Sequence, residues 1–133
     1  QINDDSDNVI AYCFTPIQGY SKFGSYEGNG NADGPFVYTG FSPSFLLYKN
    51  ADDGDRNWGI ADIARSTFNP VDDYLLPNLT NAEGQSDAVD FLSNGFKLRS
   101  TDAGSNDSAE TIIYAAFAES PFVTSNGVST NAQ

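Results

Sequence analysis

The chain has 133 residues, 18 acidic against 6 basic side chains, no histidine, one cysteine and a formal charge of −12. This charge excludes binding to a nucleic-acid backbone. The missing histidines exclude Ser-His-Asp and Cys-His catalysis and remove the commonest nitrogen ligand of zinc, while the length suits a single domain with one core.

Val9 to Phe14 is a short apolar run rich in aromatic and β-branched residues. It predicts a strand in which Cys13, with no partner for an intrachain disulfide, is a buried and inert thiol. Gly19 to Phe41 follows, with Tyr20, Phe23 and Tyr26 recurring every third residue among Gly19, Gly24, Gly28 and Gly30. That spacing is too glycine-rich for a helix and too irregular for a plain strand, so it predicts tight bends that lay rings onto a core. Phe36 to Phe41, Ser44 to Lys49 and Trp58 to Ile63 read as strands, with Asp53-Gly54 inside a hairpin loop between the last two. Ile60 to Arg65 reads as strand followed by loop, because Gly59 before it and Phe68-Asn69-Pro70 after it leave little room for a helix.

Asn69 to Gly84, punctuated by Pro70, Pro77, Asn78 and Asn81, predicts an irregular surface loop pinned by Val71, Tyr74, Leu75 and Leu76. Asn94-Gly95, between Phe91-Leu92 and Phe96-Lys97-Leu98, predicts a type I′ hairpin. Phe96 to Arg99 and Thr111 to Ala118 are the last strands, and Thr124 to Gln133 is a polar tail that cannot bury a core. No run approaches transmembrane length and there is no signal-peptide pattern, so no membrane insertion is expected. The expected architecture is an all-β, antiparallel β-sandwich, jelly-roll-like, with long ordered loops, spanning residues 1–123 ahead of the tail at 124–133. Because it starts with Gln1 and not Met, the chain is read as the C-terminal part of a longer one.

Few residue patterns carry chemistry. Asp52-Asp53-Gly54-Asp55-Arg56-Asn57 clusters oxygen ligands, but an EF-hand register puts Trp58 where glycine must turn and Ala64 where a bidentate glutamate must close the shell. What survives is a non-helical calcium loop on Asp52, Asp53 and Asp55, set against a hairpin whose acids keep it solvated. Asp72, Asp73, Glu83, Asp87 and Asp90 offer carboxylates for a glycosidase pair, but aspartates on loops are more often turn formers and caps. No Gly-Lys-Ser/Thr phosphate loop is present. Asn78-Leu-Thr80 and Asn106-Asp-Ser108 match the glycosylation pattern by chance. Tyr12, Phe14, Phe45 and Phe117 are expected in the core, whereas Tyr20, Tyr26, Trp58 and Tyr74, with polar or glycine-rich neighbours, are the candidate ligand platforms.

Five blocks carry a resemblance: the run from Gly19 to Phe41, GFSPSFLLYKN from Gly40, NWGIADIAR from Asn57, DFLSNGFKLR from Asp90 and TIIYAAFAESPF from Thr111. Together they resemble a domain found at the C-terminal end of uncharacterised structural proteins of marine tailed phages. The resemblance covers nearly the whole chain and implies a non-enzymatic virion component, a tail fibre, appendage or capsid decoration displayed at the particle surface. Its implied partners are other virion proteins, copies of itself or a host-surface glycan, and no catalytic residues come with it. A free lectin-like module is the alternative, and an acid-based glycosidase a distant third.

Overall fold

The computed structural model describes residues 10–121 and Val128. The elements are β1 (Ser21–Glu27), β2 (Phe36–Tyr38), β3 (Pro43–Asn50), β4 (Gly59–Asp62), β5 (Val71–Leu75), β6 (Gly84–Leu92), β7 (Gly95–Leu98), a single helical turn α1 (Ala103–Asn106) and β8 (Thr111–Ala118). All eight strands join one sheet in the order β1-β8-β3-β4-β5-β6-β7-β2, and every pairing is antiparallel. The chain is all-β and antiparallel, as expected, and its two layers are the facing halves of one continuous sheet.

The sheet curls until its edges approach each other. Lys22 on β1 donates from Nζ to the Tyr38 carbonyl on β2 at 2.8 Å. Tyr26 on β1 meets Phe96 on β7 edge to face, with ring centroids 5.8 Å apart. The result is a nearly closed barrel, and closure is what covers the core: Leu46, Val71, Val89, Phe96, Leu98 and Ile112 are each no more than 2 % exposed. Burial of side chains of this size contributes roughly 1.5–3 kcal/mol each. Strand alternation sorts the faces. Leu46 and Tyr48 on β3, and Ile112, Tyr114 and Ala116 on β8, are buried in the core. Their neighbours Phe45, Leu47, Ile113 and Ala115 line the outer face.

Three tyrosine–glycine pairs shape this sheet. Tyr114 stands directly opposite Gly24, Tyr48 opposite Gly59 and Tyr74 opposite Gly84. A Cβ built on these glycines would lie 3.2, 2.2 and 2.6 Å from the facing ring. Each ring therefore lies flat across the strand where a side chain would otherwise stand, which is the physical use of the glycines in the aromatic-rich segments.

Several expectations change. The described part of the first predicted strand, Ile10 to Phe14, is irregular and exposed, and Cys13 is exposed with it; the segment is held by Phe14 stacking on Phe23 and not by a strand ladder. Ser21 to Glu27, predicted as bends, is a strand paired along its length with β8. The Asn69 to Gly84 segment holds β5, whose Val71 reaches the core. The Asn94-Gly95 hairpin forms, but Leu92 pairs with Gly95, so its loop is Ser93-Asn94. The described residues with positive φ are Ala109, Gly19, Gly30 and Gly40, so this turn is not type I′. Gly95 serves close approach instead: a Cβ there would sit 2.1 Å from the Val37 carbonyl of β2. The predicted tail lies outside the described residues apart from Val128.

Candidate functional site

The middle of the outer face of β1, β8, β3 and β4 is apolar, with Lys49, Asp62, Ser25 and Glu27 confined to its ends, unlike the mixed solvent face of an ordinary antiparallel sheet. Phe23, Phe45, Leu47, Ile60, Ile113 and Ala115 form the floor of an open groove of about 630 Å³. Tyr12 and Phe14 wall one side, Trp58, Pro77 and Asn78 also line it, and none of these side chains is charged. Phe14 stacks on Phe23 at 5.3 Å, and Phe117 gathers Tyr20, Phe23 and Phe45 around it edge-on at 6.2, 5.8 and 5.9 Å.

Trp58 is fixed from behind, since its backbone N–H donates to Asn78 Oδ1 at 3.1 Å while the Asn78 amide donates to Asn57 Oδ1 at 2.8 Å. The ring stays 38 % exposed. Lining side chains with a polar group are few, Tyr12, Trp58, Asn78 and Tyr114. The arrangement can bury apolar surface, and it has little capacity to satisfy a ligand rich in hydroxyls.

The four aromatic candidates separate. Trp58 lines the groove, and Tyr20 packs on Phe117. Tyr26 faces inward against Phe96 and Tyr114, with its hydroxyl donating to the Ser105 carbonyl at 2.7 Å. Its side chain belongs to the core and not to a surface platform. Tyr74 lines a cleft of about 160 Å³ beside Tyr48, Arg56 and Asp102. Tyr12 and Phe14, expected in the core, are 81 and 67 % exposed and wall the groove.

Two of the three calcium candidates, Asp52 and Asp53, have their carboxylates engaged in separate hydrogen bonds. Asp52 accepts from the Thr111 N–H at 2.7 Å, and Asp53 accepts from the Asp55 N–H at 2.9 Å and pairs with Arg56 at 2.8 Å. The Asp55 hydrogen bond, more than Arg56, holds the Asp53 carboxyl below its ordinary range. Among the described residues no three His, Cys, Asp or Glu side chains converge as metal ligands. Of the glycosidase candidates, Asp72 and Asp73 share the Ser66 hydroxyl, Asp73 also accepts from Gln85, Glu83 pairs with Arg65, and Asp90 pairs with Arg99 at 2.5 Å.

Sequence reasoning missed the groove because it sorted aromatics by their neighbours along the chain. The available signal was that Phe45-Leu-Leu-Tyr48 and Ile112-Ile-Tyr-Ala-Ala-Phe117 are apolar at both alternating positions. Strands of that kind present apolar surface on both faces.

These features define a class: an open antiparallel barrel with a filled core and an uncharged aromatic groove on its outer surface. A family model described as a domain of unknown function, DUF7483, matches residues 1–121, and the chain belongs to that family. No curated protein and no solved structure matches the chain.

Proposed function

We propose that this domain is a non-enzymatic structural module of a phage particle, a tail fibre, appendage or capsid decoration that serves assembly or attachment. The resemblance to phage structural proteins supplies the context, and the uncharged groove of Phe23, Phe45, Leu47, Trp58 and Ile60 is the observation that carries the reading. On a chain of charge −12, a contiguous apolar face is where another protein surface can be met without desolvating charge. Mass spectrometry of purified particles of the encoding phage tests this, with the domain expected among the virion proteins at stoichiometric level. Its absence from particles, alongside free protein in the lysate, would refute the assignment.

A lectin-like reading is favoured by one feature, the part-exposed Trp58 ring beside the Asn57 and Asn78 amides, since sugars stack on such rings. The scarcity of other polar groups weighs toward protein contact. A glycan array with Trp58→Ala as control decides between the two, and binding lost in that variant would favour the lectin. Tyr26→Ala is unsuitable as a control because that ring is part of the core.

A further inference from the structure

Ile10 to Pro16 forms an arm ahead of β1 that contains no charged residue and whose residues are all exposed. Ile10 and Tyr12 are 78 and 81 % exposed, although both are of types that folding normally buries. Phe14, stacked on Phe23, ties the arm to the sheet, and Tyr12 stands beside it at the rim of the groove. Beside it the groove stays open, so the chain's own arm does not fill it. One molecule thus carries a set of apolar knobs and an unfilled apolar hole, both uncharged on a protein of net charge −12. We propose that two copies of this domain associate by reciprocal arm exchange, Ile10 and Tyr12 of each entering the outer groove of the other at Leu47, Trp58 and Ile60.

Three arguments commit this contact to a second copy. The first is charge: two strongly acidic molecules repel wherever their acids meet, and the arm and groove are surfaces that meet without them. The second is area. At roughly 150–250 Å² per ring, the exposed fractions of Tyr12, Phe14 and Trp58, 81, 67 and 38 %, amount to on the order of 400 Å² of aromatic surface in one copy. Doubled by symmetry, with Ile10, Ile113 and the groove walls added, the contact reaches the ~1,200 Å² of the smaller specific interfaces. The third is geometry: knob and hole adjoin on one face, so a twofold axis closes both contacts together and leaves neither exposed.

The inference deepens, and rests on, the reading of the domain as an assembly module. Sedimentation of the whole 133-residue chain from roughly 1 µM to 1 mM tests it, a span that covers the weak association common among the smaller interfaces. A monomer–dimer equilibrium is expected. Ile10→Ser with Tyr12→Ser in the arm, and separately Leu47→Glu in the groove, should each weaken it at least tenfold. Both changes lie at exposed or outward positions, and unchanged melting temperatures would show that the variants fold.

Mixing the two variants is the decisive arm, because the intact groove of one then meets the intact arm of the other. A heterodimer more stable than either variant's homodimer is expected. A wild-type monomer throughout, a dimer indifferent to both variants, or no recovery on mixing would each overturn the exchange. A monomer that instead binds glycans through the groove would assign it to the lectin reading. None of these results bears on incorporation into particles, which is measured separately, so failure of this contact is distinguishable from failure of the particle assignment.

Discussion

Two buried asparagines organise the end of the barrel where the loops gather. Asn106, fully buried, accepts the Asn29 N–H at 2.9 Å and donates to the Asn31 and Ser100 carbonyls at 2.8 Å each, tying the glycine-rich loop to α1. Asn50, equally buried, accepts the Asp52 and Asp53 N–H groups and donates to Ala103 and Glu110. Loss of such a side chain leaves several buried groups unpaired, at about 1–3 kcal/mol each where water cannot enter. Asn106→Ala should therefore lower stability by about 3 kcal/mol in urea unfolding. The burial also removes Asn106 as an acceptor in its glycosylation-like triplet. The glycines under tyrosine rings make a second test. Gly59→Ala, with its Cβ 2.2 Å from the Tyr48 ring, should cost about 2–3 kcal/mol through overpacking. Gly54→Ala, with nothing within 4 Å, should lie between neutral and a gain of up to about 1 kcal/mol.

At the scale of the strand, the exposed ends of the sheet decide solubility. β1 and β2 are its two edges, and edges recruit other strands unless they are guarded. Lys22 is the guard: its ammonium occupies the outward Tyr38 carbonyl and lies 5.3 Å from the Tyr38 ring centroid. Lys22→Ala should change equilibrium stability by less than about 1 kcal/mol, since the contact is exposed. It should accelerate heat-induced aggregation measurably by light scattering, and an unchanged rate would remove the guard role. β8 shows the opposite situation. Paired on both sides by β1 and β3, it has no free edge, and its predicted bounds, Thr111 to Ala118, coincide with those observed. β5 and β1 escaped recognition as strands for a definable reason. Proline, glycine and aspartate lower their local β preference, and pairing with β6 and β8 overrides it.

For the molecule as a whole, charge sets the pH response. The Asp33 carboxyl is held below its ordinary value, chiefly by a hydrogen bond from Lys97, whose Nζ is 2.9 Å away, with Arg99 adding a smaller attraction. A carboxyl with a depressed folded-state pKa stabilises the fold above its unfolded pKa, and that stability is lost as pH falls through the folded value. Wild type should therefore exceed Lys97→Ala in urea midpoint by a constant margin above about pH 5, and the margin should shrink below about pH 4. A margin independent of pH would mean that Lys97 acts only through its bond to the Gly34 carbonyl. The curled sheet also sets the surface, because its concave side takes one set of alternating side chains into the core and leaves the other set to form the groove.

The sequence by itself determined the all-β class, the strands at Ser44–Lys49, Phe96–Arg99 and Thr111–Ala118, and the hairpins around Gly54 and Asn94. These follow from local strand preference and from the places where turn-forming residues interrupt it, which act over a few residues, although the turn at Asn94 is not the type I′ that its Asn-Gly pair predicts. Tertiary structure alone decided that Tyr26 turns inward while Tyr12 and Phe14 stay outside, that Asp52 and Asp53 take different partners, and which of the two apolar faces of β3 and β8 enters the core. Those outcomes depend on which strands pair and where the sheet closes, and so on residues such as Ser105 and Phe96 that lie seventy or more positions from Tyr26.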